Sequence, residues 1–275
     1  MQLNASNPPR TFSPVTLTLS RIVRQIRPAE IASGLGILLG LGQRRPYATR
    51  HGLFAISPIS DLGETILESG EYEPAMVAVL HTYLDRGGIF IDLGANEGYF
   101  SVIGSALVGA GGRVIAIEPQ SRLQPVISTN LKLNHCANTE MQQVLLSGAD
   151  GESDLILTPQ VNPGASSIYP GHLRLRGLMP RERVESLTLA SFLKRTCVAK
   201  CDLMKVDIEG AEWELLMNAG DVLKSGVIRH IALEIHNSIL AARGVSGGDL
   251  HKFILGCGYT LDDSLGPWVY CKTAN

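Results

Sequence analysis

From Glu71 onward, short apolar runs alternate with helical stretches, and this alternation restricts the fold more than any other feature of the chain. Ile89-Phe90-Ile91, Arg113–Ile117 and Asp202–Val206 are rich in β-branched or long apolar residues and bounded by turns, the pattern of strands buried on both faces. Further strands are expected over about Gln143–Leu146, Asp154–Leu157 and His230–Ile235. Helices are expected over Glu73–Asp85, from Gly98 to about Val108, and over Ser121–Asn134 with Ser121 as N-cap. Others fall at Leu189–Lys194, Ala211–Ala219 and Gly248–Leu255. Such alternation builds an open α/β sheet with helices on both faces. The last two strands, around Tyr259–Leu261 and Trp268–Tyr270, are joined only by Asp262–Pro267. A parallel crossover needs about a dozen residues or more, so these two form a C-terminal antiparallel hairpin and the sheet is mixed.

Composition excludes several classes. With 45% hydrophobic and 18% charged residues the chain is not disordered. Its 5% aromatic content and net charge of −2 argue against a nucleic-acid binder. Five cysteines, an odd number scattered over the second half, fit a reducing, cytoplasmic setting better than a disulfide framework. Cys197 and Cys201 have no second ligand pair and are read as small packed apolar residues.

Charge is uneven: residues 1–50 carry +6 and the remainder −8. Residues 1–70 are therefore read as a basic, amphipathic extension and 71–275 as the main domain. Leu19, Ile22, Val23 and Ile26 recur at helical spacing opposite Arg21, Arg24 and Arg27, a short helix ended at Pro28. The apolar run Ile31–Leu41 is shorter than the roughly 20 residues that span a bilayer. Three readings stand for this segment: packing on the domain, peripheral contact with an anionic membrane through residues 16–42, or an organellar presequence.

The chemistry begins at Asp92-x-Gly94-x-Asn96-x-Gly98, which ends one strand and opens a helix, at the carboxyl ends of the strands where open α/β folds bind ligands. Glu118, ending the next strand, is placed to accept hydrogen bonds from ribose hydroxyls. A nicotinamide fingerprint wants G-x-G-x-x-G, but Asn96 and Tyr99 occupy the second and third glycine positions; the phosphate loop G-x-x-x-x-G-K-[ST] is also absent. Asp92 would repel a phosphate and suits a cationic amino group. A ligand with ribose, adenine and an amino-acid end fits, namely S-adenosylmethionine. The plainer alternative is a glycine turn that only packs a helix on a strand.

These residues resemble those of class I S-adenosylmethionine-dependent methyltransferases, and more narrowly the FkbM family. The resemblance rests on Tyr72-Glu73-Pro74, Phe90–Ser101, Ile117-Glu118-Pro119, Asp202–Glu212 (DLMKVDIEGAE) and Leu233–His236, and covers about Glu71 to Lys272. It implies a Rossmann-like, seven-stranded mixed sheet and methyl transfer, most often to a hydroxyl of a sugar, polyketide, peptide or glycolipid. It also implies that Asp92, Gly94, Asn96 and Gly98 hold the methionine end of the donor, that Glu118 holds the ribose, and that Ser147 lies near the adenine. Ser147-Gly148 departs from the S-D of many relatives, and Ala190 replaces an acid of the family pattern. Glu73, in Glu71-Tyr72-Glu73, is expected to close over the donor.

Methyl transfer to a neutral hydroxyl benefits from a general base or a metal. Asp207, Glu209, Glu234 and His236 stand at the ends of two strands expected to be adjacent, and i, i+2 pairs share a side. In one reading His236 or Asp207 takes the acceptor proton while a carboxylate orients the acceptor. In the other, Asp207, Glu209 and His236 bind a divalent cation; no metal is the expectation. Each residue also has a bland role, as helix-terminal acid, cap or loop histidine. Lys205 is expected to cover the sheet with its stem. Asn162–His172 reads as an acceptor-facing flap, with Ser166, Ser167 and Tyr169 as polar contacts. The acceptor is expected to be a small molecule or carbohydrate. The rivals are a nicotinamide-dependent oxidoreductase and a non-catalytic nucleoside-binding module.

Overall fold

A computed structural model describes residues 12–27, 29–159, 164, 166–169, 179–266 and 268–273. The described residues form two compact units that divide between Tyr72 and Glu73, with Pro159 grouped with the first.

In the second unit the apolar runs become β3 (Ile89–Leu93), β4 (Arg113–Ile117), β9 (Cys201–Val206) and β10 (Ile228–Leu233). They join β5 (Thr139–Gln142), β11 (Tyr259–Asp262) and β12 (Trp268–Lys272) in one seven-stranded sheet ordered β11-β12-β10-β9-β3-β4-β5. Six strands run in one direction, five of them paired in parallel, and only β12 is reversed, antiparallel to both β10 and β11. Side-chain alternation divides the strands between two faces. Ile91, Leu93, Ile115, Ile117, Met204 and Val206 belong to a core completed by α7 (Leu189–Arg195), α8 (Glu212–Met217), α9 (Gly220–Ser225) and α11 (Gly247–Gly256). Helices α4 (Pro74–Tyr83) and α5 (Tyr99–Val108) cover the opposite face, where Gly104 lets α5 settle onto the ring of Phe90. Strand order reverses between β3 and β9, so their carboxyl ends open beside each other.

Several boundaries differ from expectation. The strand expected over Gln143–Leu146 is two: β5 ends at Gln142, and β6 (Leu145–Leu146) pairs instead with β8 (Arg181–Leu187). With β7 (Gly151–Ile156), these make a separate three-stranded sheet. β8 escaped the sequence reading because its burial alternates and its exposed positions are Arg and Glu. Ser121 is no N-cap; it begins a 3-10 turn before α6 (Gln124–Leu133), and its N–H donates to Glu182. Cys201 is buried as expected, but Cys197 is exposed.

The first unit holds α1 (Pro14–Gln25), α2 (Ala29–Leu38), an antiparallel hairpin of β1 (Arg45–Thr49) and β2 (Gly52–Ile56), and α3 (Asp61–Ser69). Val23, Ala32, Leu41 and Ile59 form its small core, flanked by Leu19, Ile26 and Leu35. The arginines of α1 do not make a free basic face. Arg24 pairs with Asp61 and Glu64 and donates to the Ile59 carbonyl, and Arg21 lies 3.5 Å from Glu68. Ile22 points outward, and six of the eight exposed large hydrophobics among the described residues lie in or beside α1 and α2. Pro28 lies outside the described residues. No helix among them is long and apolar enough to cross a membrane.

Candidate active site

Tight turns at the carboxyl ends of β3 and β9 build the site. Gly94 has φ +82°, and a Cβ there would lie 1.8 Å from the Asp207 carbonyl, so glycine lets the β3 loop lie directly on the β9 end. The loop amides are already used. Gly94 and Ala95 donate to the Ile117 carbonyl, Gly98 donates to Ala95, and Asn96 donates to Glu118 Oε2 at 2.9 Å. A loop that has spent these donors on its own fold makes a poor cradle for a pyrophosphate.

What the loop offers is acceptors. Buried Asp92 accepts from Ser101 Oγ at 2.6 Å through Oδ2, while its Oδ1 and the Asn96 Oδ1 have no hydrogen-bond partner. Buried polar atoms left in this state mark a place where a hydrogen-donating ligand would be bound. Glu118, 4% exposed, accepts the N–H groups of Asn96 and Gln120, and burial pushes its carboxyl up to about 7.

Lys205 does not cover the sheet with its stem. Opposite Asp92 in the β3–β9 register, it is 1% exposed and donates to Asp207 Oδ2 at 3.0 Å, with Asp92 Oδ1 at 4.0 Å. Burial opposes its charge, but Asp207, Asp92 and Glu73 hold it protonated. A buried cation with two carboxylates satisfies its charge where a stem on the sheet face would not.

Beyond β9 the chain turns through Asp207, Ile208, Glu209 and Gly210, with Glu209 in the left-handed region at φ 51°. Fully buried Glu212 stabilises this turn by accepting from the Gly210 N–H at 3.1 Å. The same oxygen meets His236 Nδ1 at 2.7 Å, leaving Glu212 Oε2 without a hydrogen-bond partner. His236 Nε2 then faces Glu209 Oε2 at 3.4 Å and Asp207 Oδ1 at 3.8 Å. Burial opposes the imidazolium, yet Glu212, Glu209 and Asp207 raise His236 to about 9. Burial, reinforced by Asp207 and Glu212 against the pull of His236, pushes Glu209 up to about 7. Burial and Asp207 also raise Glu234. A cavity of about 310 Å³ opens beside this cluster, lined among others by Glu73, Met76, Glu234, Ile235, Asn237 and Trp268.

The structure thus brings Asp207, Glu209 and His236 together, and sets Asp92, Gly94, Asn96, Gly98 and Glu118 around one loop. Glu73 lies on the cavity wall rather than on that loop. Ser147 follows the small sheet, its N–H donating to Leu187, and Gly148 packs on Asn218; no described contact joins Ser147 to Glu118. Of the expected flap, only residues 164 and 166–169 are described. There Ser166 bonds Thr158 and Gln120, Ser167 donates to the Glu209 carbonyl, and Tyr169 stacks on Arg243. These contacts tie the described part of the segment to the protein, Ser167 directly to the Glu209 turn. The sequence reading gave Glu212 no role beyond closing the Asp202–Glu212 segment; its place in the first turn of α8 offers no signal of its partner His236.

Together, the sheet order, the reversed last strand and a ligand loop at the switch point define a Rossmann-like methyltransferase fold. The model of the methyltransferase FkbM domain matches residues 92–261, more than half of the chain, and the protein belongs to that family. Solved structures similar to it include the methyltransferase FkbM of Methylobacillus flagellatus, at 14% identity over 94% of this chain and 58% of the other, with a TM-score of 0.43. The precorrin-6y C5,15-methyltransferase of Geobacter metallireducens shares 16% identity over 68% and 72% of the two chains, with a TM-score of 0.40. Aeropyrum pernix fibrillarin, solved with S-adenosyl-L-methionine, shares 14% identity over 72% and 73%, with a TM-score of 0.38. No curated protein sequence matches the chain.

Proposed function

We propose that this methyltransferase moves the methyl group of S-adenosylmethionine to a hydroxyl oxygen of a small molecule, sugar or glycolipid. The observation that carries this reading is the Asp207–Glu209–His236 cluster, whose Asp207 turn lies against Gly94 of the glycine loop and whose His236 stands between two residues that line a cavity, Ile235 and Asn237. The donor supplies an activated methyl group on sulfur, so the residues have two tasks, alignment and removal of the hydroxyl proton.

For the donor, Glu118 accepts ribose hydroxyls, while the orphaned oxygens of Asp92 and Asn96 accept from its ammonium end. The loop's spent amides favour this ligand over a dinucleotide. At the acceptor, Asp207, Glu209 and His236 set the position and acidity of the hydroxyl. Burial makes the carboxylates of Glu209 and Glu234 stronger proton acceptors than ordinary glutamates, Glu209 being pushed up to about 7 and Glu234 raised. An amine acceptor would need no such base once deprotonated, which is why the cluster favours oxygen.

Calorimetry with S-adenosylmethionine, using NAD as the control, tests the donor. Binding is expected, with a loss of tenfold or more in Glu118→Ala and Asp92→Ala, about the worth of a hydrogen bond to a charged group. Methyl transfer is then followed with labelled donor over hydroxylated and amino acceptors. Methyl groups found on oxygen support the proposal. Preference for NAD, or methyl groups found only on nitrogen, contradicts it.

A further inference from the structure

We propose that Asp207 Oδ1, Glu209 and His236 Nε2 form a binding site for one divalent cation, at which the acceptor hydroxyl is held. The proposal deepens the reading above, and rests on it for the role of the cation but not for its binding. One ligand atom from each of the three residues lies within 4.8 Å of the others. The His236 Nε2 contacts, at 3.4 and 3.8 Å, are slightly wider than the roughly 3 Å between neighbouring ligands of an octahedral ion with bonds near 2.1 Å. Small side-chain movements close that gap.

The support of the ligands points to a cation rather than to a simple ion-pair cluster, because both anchoring ligands are held from behind. Lys205 takes Asp207 Oδ2, turning Oδ1 toward the histidine, and Glu212 takes His236 Nδ1, turning Nε2 toward the carboxylates. A carboxylate behind a histidine is the usual second support of a metal ligand, because it sets the ring and the tautomer.

Two carboxylate oxygens and one imidazole nitrogen, with no thiolate, suit a hard-to-borderline ion of the Mg²⁺ and Mn²⁺ class and leave coordination positions open. With these three residues engaged, Glu234 is the carboxylate that lines the cavity.

The test uses the full chain, freed of metal with a chelator and titrated with Mn²⁺ while the free-ion electron paramagnetic resonance signal is followed. One equivalent is expected to bind without donor present. Asp207→Asn, Glu209→Gln and His236→Ala should each weaken binding at least tenfold, and Glu212→Gln, which removes no ligand, about tenfold or more. Glu152→Gln, in an exposed ion pair on β7, should change nothing. Circular dichroism and donor calorimetry of each variant separate misfolding from loss of the ion. Absence of stoichiometric Mn²⁺ binding by the folded chain, or binding unchanged in a folded Asp207→Asn/His236→Ala variant, overturns the site. Because donor binding is read separately, failure of the metal site leaves the methyltransferase reading intact, and the reverse also holds.

Discussion

At Glu118, one burial event sets a pH response and, if the residue holds the donor's ribose as proposed, sets affinity as well. Burial pushes its carboxyl from the ordinary 4.5 to about 7, although two backbone N–H groups favour the charged form. Between those values the folded, ligand-free protein holds a proton that the unfolded chain has released. The free protein's stability therefore falls as pH rises through that window. Donor binding runs the other way, since ribose hydroxyls donate best to the ionised carboxylate. Affinity for S-adenosylmethionine is expected to climb up to tenfold per unit toward about 7 and then level off. Calorimetry on both sides of neutrality checks this, with Glu118→Gln expected to give a flat profile; a flat profile in the unaltered protein contradicts it. That Asp92, Gly94, Asn96, Gly98 and Glu118 gather around one loop was legible, because glycine spacing and strand ends are local signals. Lys205 and Glu212 were not, because a lysine in a strand and a glutamate in a first helical turn have commonplace roles until their neighbours across the sheet are known.

At the scale of the element, α1 illustrates how tertiary neighbours change the meaning of a periodic pattern. Its arginines mark a basic face in sequence, but α3 supplies Asp61, Glu64 and Glu68 against them. Arg24 carries the most of this pairing: its side chain is 17% exposed, with two carboxylates and the Ile59 carbonyl as partners. Arg24→Ala is expected to destabilise the unit by about 1–3 kcal/mol, the range for hydrogen bonds to charged groups. Urea unfolding followed by a probe in the first unit checks it, and a change within about 0.5 kcal/mol, typical of surface substitutions, would show the pairing to be incidental. β8 is the matching case in the second unit. Its alternating Arg and Glu positions hid a strand that β6 and β7 flank on either side.

Across the whole molecule, the sheet centre depends on contacts between distant parts of the chain. Asp202, at the start of β9, accepts the Ile89 N–H at 2.9 Å, a bond between residues 113 positions apart, and also pairs with Lys200 and Arg229. Burial opposes its charge, but these partners hold its carboxyl below the ordinary 3.8. With the folded value depressed, its contribution is complete above the unfolded value and is lost as pH falls through the folded one. Asp202→Asn is expected to cost about 1–3 kcal/mol near neutrality and to lessen the loss of stability on acidification. Denaturant unfolding at neutral and acidic pH checks both, and an equal cost at both would exclude the charge as the cause.

The α/β class, the terminal hairpin, the positions of the buried central strands and the glycine loop at a strand end were all readable from local signals: apolar runs, glycine placement and connection length. Tertiary contacts alone put the β5 and β6 segments into different sheets, left Cys197 exposed and tied Ser167 to the Glu209 turn. They alone placed Lys205 between Asp92 and Asp207, and Glu212 behind His236. The physical reason is that a buried charge is defined by partners from other strands and turns, and pairing across β3, β9 and β10 is a property of the folded sheet that no local pattern encodes.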